Sequence, residues 1–239
     1  LQAVLQIAIA HAEVDPDDVR KGFTAVEAWR VDEARDIAER LYREAPEDPL
    51  VLALVAEVKL HMSDYAGAGA FYARAKKAGA PEMTLRNASL AEAARVATQG
   101  YAEHVGDNFI LRFAPGKDAV LVPYAMETLD KAMERIGELL GWRPKSRVVM
   151  EFYPSAATLA AVSTLTEKDI ENSGTIALCK WNRLMATSPR GVVFGYGWRD
   201  TIAHELTHLI IGGASKNTVP IWLHEGIAKF AETAWRGEP

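Results

Sequence analysis

The sequence is poor in cysteine, and its single thiol, Cys179, limits the chemistry open to the chain. One cysteine excludes an intramolecular disulfide and a metal site built from thiolates. Cys179 follows Ile-Ala-Leu and lacks the flanking signature of a nucleophilic cysteine. We therefore expect it to pack as a small hydrophobic side chain.

Long apolar runs and net positive charge are also missing. No segment approaches the ~20 apolar residues of a membrane-spanning helix. The chain has 27 basic and 32 acidic residues and a net charge of −5, which argues against general binding to nucleic acid or anionic membranes. Its 239 residues, 49% of them hydrophobic, suffice for one large globular domain or two modest ones.

The sequence has no initiating methionine, and we expect it to be a piece of a longer protein. Its apolar start ends in Ala10-His11-Ala12, which resembles a signal-peptidase site. Two glutamines in that stretch and the missing basic start speak against a signal peptide. Both a cytoplasmic and an extracytoplasmic location stay open.

The first hundred residues are rich in alanine and repeat with a period of 34. The period aligns Val31 with Tyr65, Ala34 with Ala68, Ile37 with Phe71, Ala38 with Tyr72, Leu41 with Ala75 and Ala45 with Gly79. Small residues at helix contacts at this period resemble the tetratricopeptide repeat, in which antiparallel helix pairs stack. We expect residues 1–104 to form such a helical domain, with a protein partner as its ligand.

Residues 105–239 show an α+β pattern. Strands are expected over 109–113, 147–153 and 174–179, with further strand candidates at 182–187 and 191–196. Helices are expected from Asp118 to Leu140, from Ser155 to Val162, from Arg199 to Ile211, and after Pro220. Asp200 is the expected cap of the third helix, and Gly212-Gly213 is its expected end.

Residues 204–208 read His-Glu-Leu-Thr-His, and they carry the clearest chemical signal. On a helix this spacing puts His204 and His208 one turn apart on one face, as two ligands of one zinc ion require. Glu205 between them lies close enough to take a proton from a water on that metal. The alternative is an ordinary helix that carries two surface histidines.

A third ligand must come from another element, because one helix cannot surround a tetrahedral ion. The segment 218–232 offers His224, Glu225 and Glu232. Neighbouring helix positions point about 100° apart, so only one of His224 and Glu225 faces the metal squarely. Spacing alone does not choose between them.

The HExxH segment, a loop, and then Pro-x-Trp-Leu-x-Glu-Gly-x-Ala at 220–228 resemble the gluzincin metallopeptidases, and within them the peptidase MA-like family. The resemblance covers about residues 105–235. It implies a zincin-like domain in which His204, His208 and Glu225 hold one Zn²⁺ per chain. It further implies hydrolysis of peptide bonds by a zinc-activated water, with Glu205 as general base. An edge strand of Gly174, Thr175, Ile176 and Ala177 is expected to hold the substrate backbone.

Two features depart from that family. Gluzincins commonly have a carboxylate one turn after the ligand glutamate, where this chain has Lys229. Asp200 and Glu232 are candidates for orienting a ligand histidine through its other ring nitrogen. Gluzincins also use a tyrosine or histidine to stabilise the oxyanion, frequently from a region after the third ligand, whereas the candidates here, Tyr196 and Tyr153, both precede it.

Three functions are therefore consistent with the sequence. The first is a zinc metallopeptidase behind a helical-repeat module, with a peptide or protein as its substrate. The second is a repeat-based interaction protein whose peptidase-like domain is structural or inactive. The third is hydrolysis of a non-peptide amide, which the site chemistry alone does not separate from the first.

Overall fold

The computed structural model describes residues 14–166, 168, 170 and 174–237, as helices around a small mixed sheet. The expected α+β class is confirmed. The Ala10-His11-Ala12 segment lies outside the described residues.

The amino-terminal part consists of helices that pair along the chain. They are α1 (Pro16–Glu27), α2 (Val31–Glu44), α3 (Pro49–His61), α4 (Tyr65–Lys77) and α5 (Ala88–Ala97). Aspartate side chains accept backbone N–H groups at the starts of α1, α3 and α4, which stabilises these helix ends. The bounds of α1 and α2 recur in α3 and α4 after 33 or 34 residues, so the repeat period corresponds to a helical hairpin.

Five strands form one sheet in the order β1-β2-β3-β5-β4. They are β1 (Ala102–Val105), β2 (Phe109–Phe113), β3 (Val148–Tyr153), β4 (Ala177–Lys180) and β5 (Arg183–Thr187). The strands β2, β3 and β5 are parallel neighbours, whereas β1 and β4 are antiparallel strands at the two edges. The strand β4 begins three residues later than expected, after the turn at Gly174.

Helices cover both faces of the sheet. They are α6 (Leu121–Leu140), α7 (Ala156–Val162), α8 (Trp198–Ser215) and α9 (Ile221–Ala231). Alternate strand residues such as Phe152 and Leu184 pack with α6 and α8, while Tyr153 and Met185 pack with the amino-terminal helices and α7. The central strands are buried on both faces for this reason, which is typical of parallel strands.

The helix α8 is longer than expected, because Gly212 and Gly213 lie inside it. A Cβ on Gly213 would lie 2.3 Å from the Trp142 indole, so this glycine permits close packing and does not end the helix. The expected cap is wrong too: α8 begins after Gly197 without a side-chain cap, and Asp200 binds elsewhere.

Two other expectations for local structure are wrong. Segment 191–196 is a loop rather than a strand, and its Val193 and Phe194 are exposed. The long helix starts at Leu121 after a 3-10 turn, Lys117–Val120. Asp118 in that turn is buried and accepts hydrogen bonds from Ser188 and Arg190.

The two expected domains share a hydrophobic core. The cluster of Leu52, Leu60 and Tyr72 is continuous with Tyr153 and Met185 of the sheet. The chain joins the sheet at β1, so the expected boundary after residue 104 falls within a strand. Among the described residues, no helix combines the length and the apolar character needed to cross a membrane.

Candidate metal centre

The helices α8 and α9 bring together the residues expected to bind metal. His204 and His208 lie one turn apart on α8, and their Nε2 atoms are 3.1 Å apart. Glu225 on α9 places its carboxylate oxygens 3.5 Å from Nε2 of His204 and 3.6 Å from Nε2 of His208. The ligand atoms of the three residues all lie within 4.8 Å of one another.

These separations fit one zinc ion. Tetrahedral zinc with ligand bonds of about 2.0–2.1 Å spaces its ligand atoms about 3.3 Å apart. Three protein donors leave one coordination position open, which is the pattern of catalytic rather than structural zinc sites. The donor set of two imidazoles and one carboxylate suits zinc chemically as well.

Both histidines have a partner on the ring nitrogen that points away from the cluster. Nδ1 of His204 lies 3.4 Å from Oε2 of Glu232. Nδ1 of His208 lies 3.1 Å from Nδ1 of His224, and the two rings are stacked. Partners of this kind fix the tautomer and the orientation of metal-binding imidazoles.

The imidazole of His208 is held in its neutral form. Burial is the main cause that lowers its pKa, to about 4, although the Glu225 carboxylate opposes the shift. Burial also lowers the pKa of His224. A neutral imidazole has the free lone pair that a metal ligand needs, so His208 is ready to bind metal at neutral pH.

Glu205 lies beside the cluster in a buried position. Burial raises the pKa of its carboxyl to about 8, a backbone hydrogen bond from Cys179 lowers it, and the charge of Glu225 raises it further. A carboxyl whose pKa lies near neutrality exchanges protons readily, which is the property of a general base or acid.

One cavity of about 820 Å³ contains the cluster and Glu205. The edge strand β4 and the turn before it form one side, so Gly174, Thr175, Ile176 and Ala177 all line the cavity. The strand itself extends from Ala177 to Lys180. The expected segment therefore lies at the site, although most of it precedes the strand.

Three other candidates make their hydrogen bonds with groups outside the cluster. Asp200 accepts hydrogen bonds from Trp235 and Arg236, and none of its described contacts reaches a histidine. The Tyr196 hydroxyl donates to the backbone carbonyl of Thr187. Tyr153 is buried and donates to Glu151. Neither tyrosine lines the cavity.

Some residues at the site were not expected from the sequence. The sequence offers His224 only as an alternative to Glu225 for the metal, whereas in the structure its ring contacts His208 on the side away from the cluster. Glu27 and Trp29 of the first helical hairpin also line the cavity. The adjacency of His224 to Glu225 is the one feature of the sequence that indicates a place for His224 at the site. Glu27 and Trp29 lie about 175 residues before the histidines, so no local pattern predicts their contact with the cavity.

Comparison of the chain with models of protein families, with curated proteins and with solved structures gives no match. The assignment of a function therefore depends on the geometry of the cluster and on the residues around it.

Proposed function

We propose that the chain is a zinc-dependent peptidase of the gluzincin type. The observation that carries the proposal is the cluster of His204, His208 and Glu225, whose donor atoms have the spacing of a three-ligand zinc site. A buried carboxyl, Glu205, and an open strand edge lie in the same cavity.

When bound, a zinc ion supplies Lewis acidity that lowers the pKa of water and polarises a carbonyl group. Glu205 accepts the proton of the attacking water and delivers it to the amine as the C–N bond breaks. The backbone N–H of Cys179 orients the Glu205 carboxylate for both steps. His224 and Glu232 hold the two ligand imidazoles in position.

The strand edge of β4 would bind the substrate backbone. The N–H of Thr187 donates to the carbonyl of Ile176, so Ile176 faces β5. Backbone groups alternate in direction along an antiparallel strand, and those of Ala177 therefore point away from β5, towards the cavity. An extended peptide can pair with these groups as an added strand.

A second candidate is a protein-interaction module whose peptidase-like domain binds metal without turnover. One observation favours it: among the described residues, no tyrosine, lysine or arginine lines the cavity to stabilise an oxyanion. A partner would then bind at the helical hairpins, where a cavity of about 730 Å³ lies between α4 and α5.

Zinc analysis and a broad peptide library, applied to the wild type and to Glu205→Gln, separate the two candidates. The peptidase proposal expects one zinc per chain in both proteins. It also expects turnover that falls by about 10² or more in Glu205→Gln, because the proton acceptor is lost. If both proteins bind one zinc and neither cleaves any peptide, the interaction module is favoured. Absence of stoichiometric zinc would contradict both candidates.

A further inference from the structure

The turn between α1 and α2 forms part of the wall of the cavity that contains His204 and His208. Glu27, the last residue of α1, and Trp29 both line that cavity. Trp29 is partly exposed, at 38%. The helical repeats thus contribute side chains to the site itself.

Trp29 has an unusual backbone conformation for its residue type. Its φ is +57°, in the left-handed region. The N–H of Trp29 donates to the carbonyl of Val26, and the N–H of Arg30 donates to that of Ala25. This is the Schellman pattern of a helix end, in which glycine is the usual residue at the left-handed position. A tryptophan there is unfavourable, because its Cβ crowds the following carbonyl oxygen.

The end of α3, which corresponds to the end of α1 in the repeat, provides an internal comparison. The same two hydrogen bonds recur there, from Ser63 to Leu60 and from Asp64 to Lys59. A serine, with φ of +61°, occupies the position that Trp29 has in the first hairpin. The first hairpin therefore carries an indole at a position where the repeat requires no aromatic side chain, and Trp29 lines the cavity.

A hydrogen bond ties the turn to the helix that carries the histidines. Nδ2 of Asn217 donates to the carbonyl of Ala28 at 2.6 Å. Asn217 follows the end of α8 and also lines the cavity. The position of the turn that carries Trp29 is thus coupled to α8 and its histidines.

The cavity has an acidic lining. Among the described residues, its lining includes four glutamates and no lysine or arginine. Three of them are engaged: Glu205 is buried, Glu225 belongs to the cluster, and Glu232 pairs with Lys229. Within the part of the chain that the structure describes, the one ion-pair partner of Glu27 is Arg86, at 3.5 Å, and both side chains are 67% exposed. Such an exposed pair is weak and leaves Glu27 open to another cation.

We propose that Trp29 and Glu27 form a subsite that binds an arginine or lysine side chain of the peptide substrate. The indole face attracts the cationic group, and the Glu27 carboxylate adds a charge of opposite sign. This proposal rests on the proposed peptidase function, and it assigns the first helical hairpin a role in substrate selection.

The probe is a set of fluorescein-labelled alanine heptapeptides with arginine, norleucine or glutamate at each position in turn. Binding is measured by fluorescence anisotropy on the zinc-loaded Glu205→Gln protein, which retains the peptides uncleaved. We expect arginine at one position to bind about tenfold more tightly than norleucine. Trp29→Gly should remove most of that preference, and Glu27→Gln should reduce it about threefold.

Two control variants match these changes outside the cavity. Ser63→Gly places glycine at the left-handed end of α3, where Ser63 has φ of +61°. Glu39→Gln removes one exposed carboxylate from α2. Neither change should affect the arginine preference. Trp29→Asn repeats the test with another residue that tolerates a left-handed backbone, should the glycine variant fold poorly.

The results separate this subsite from the proposed peptidase function. The subsite is overturned if the arginine preference persists in both Trp29 variants, or if the Glu205→Gln protein with no further change shows no such preference. Either result overturns it even if peptide cleavage depends on Glu205. Conversely, loss of the preference in the Trp29 variants supports the subsite even if the wild type cleaves nothing.

Discussion

At the scale of single residues, the rings behind the cluster decide how firmly a metal would be bound. His224 stacks on His208 with ring centroids 5.4 Å apart, and the facing Nδ1 atoms are 3.1 Å apart. Their hydrogen bond directs Nε2 of His208 at the other two donors. Removal of such a partner usually weakens metal affinity 10- to 100-fold, by about 1.4–2.7 kcal/mol.

We therefore predict that His224→Phe weakens zinc affinity about tenfold, because phenylalanine keeps the stacked ring but loses the nitrogen. Competition with a chelator of known affinity measures the change. Trp222→Phe is the matched control, since Trp222 lies on the same helix and is 72% exposed. Equal zinc affinity in His224→Phe and the control would show that the contact does not orient His208.

The sequence predicts some of these residues well and others poorly. His204, Glu205 and His208 lie close together in the sequence, and helical geometry alone places them at one site. A local pattern is therefore enough to predict them. The choice between His224 and Glu225 depends on the rotation of α9 against α8, which no local pattern encodes. Trp29 reaches the site only because distant segments pack together, so its sequence neighbourhood gives no indication of its place.

At the scale of secondary-structure elements, the edge strand β4 and the helix α8 act as a pair. The strand supplies the N–H that reaches Glu205, and the helix supplies Glu205 itself. The pattern of apolar residues located this strand to within three residues. It did not locate the turn at Gly174, where φ is +67°, because side-chain alternation carries no information on φ.

We predict that Ala177→Pro weakens peptide binding while it leaves zinc affinity unchanged. Proline removes the one N–H of residue 177, which faces the cavity and takes no part in the β4–β5 ladder, so an edge strand tolerates it. One lost backbone hydrogen bond corresponds to about 1 kcal/mol, or roughly fivefold in affinity. The heptapeptide anisotropy assay measures it.

Ala177→Val is the control for this prediction, because it also adds two carbon atoms to the side chain but keeps the N–H. If the two variants bind peptides equally well, the backbone of β4 does not pair with the substrate at this position.

At the scale of the whole molecule, a buried polar network joins the helical hairpins to the sheet. The Tyr65 hydroxyl of α4 donates to the Glu151 carboxylate at 2.5 Å and accepts from the Arg183 guanidinium. The side chains of Glu151 and Arg183 are fully buried. Burial is the main cause that raises the pKa of Tyr65, so its hydroxyl stays protonated and keeps donating. The first hairpin, whose turn carries Trp29, packs against α3 in the same helical part of the chain.

We predict that Tyr65→Phe destabilises the whole chain by about 2–3 kcal/mol, because it leaves two buried charged groups without a shared partner. Because the hairpins and the sheet share one core, urea unfolding followed by far-ultraviolet circular dichroism should still show a single transition.

Tyr42→Phe is the control: the Tyr42 hydroxyl accepts a hydrogen bond from Arg74 nearer the surface, and the expected loss of stability is below about 1 kcal/mol. A separate early transition of the helices in Tyr65→Phe would contradict the prediction, since it would mean that the hairpins unfold on their own and that Trp29 is not held against the site.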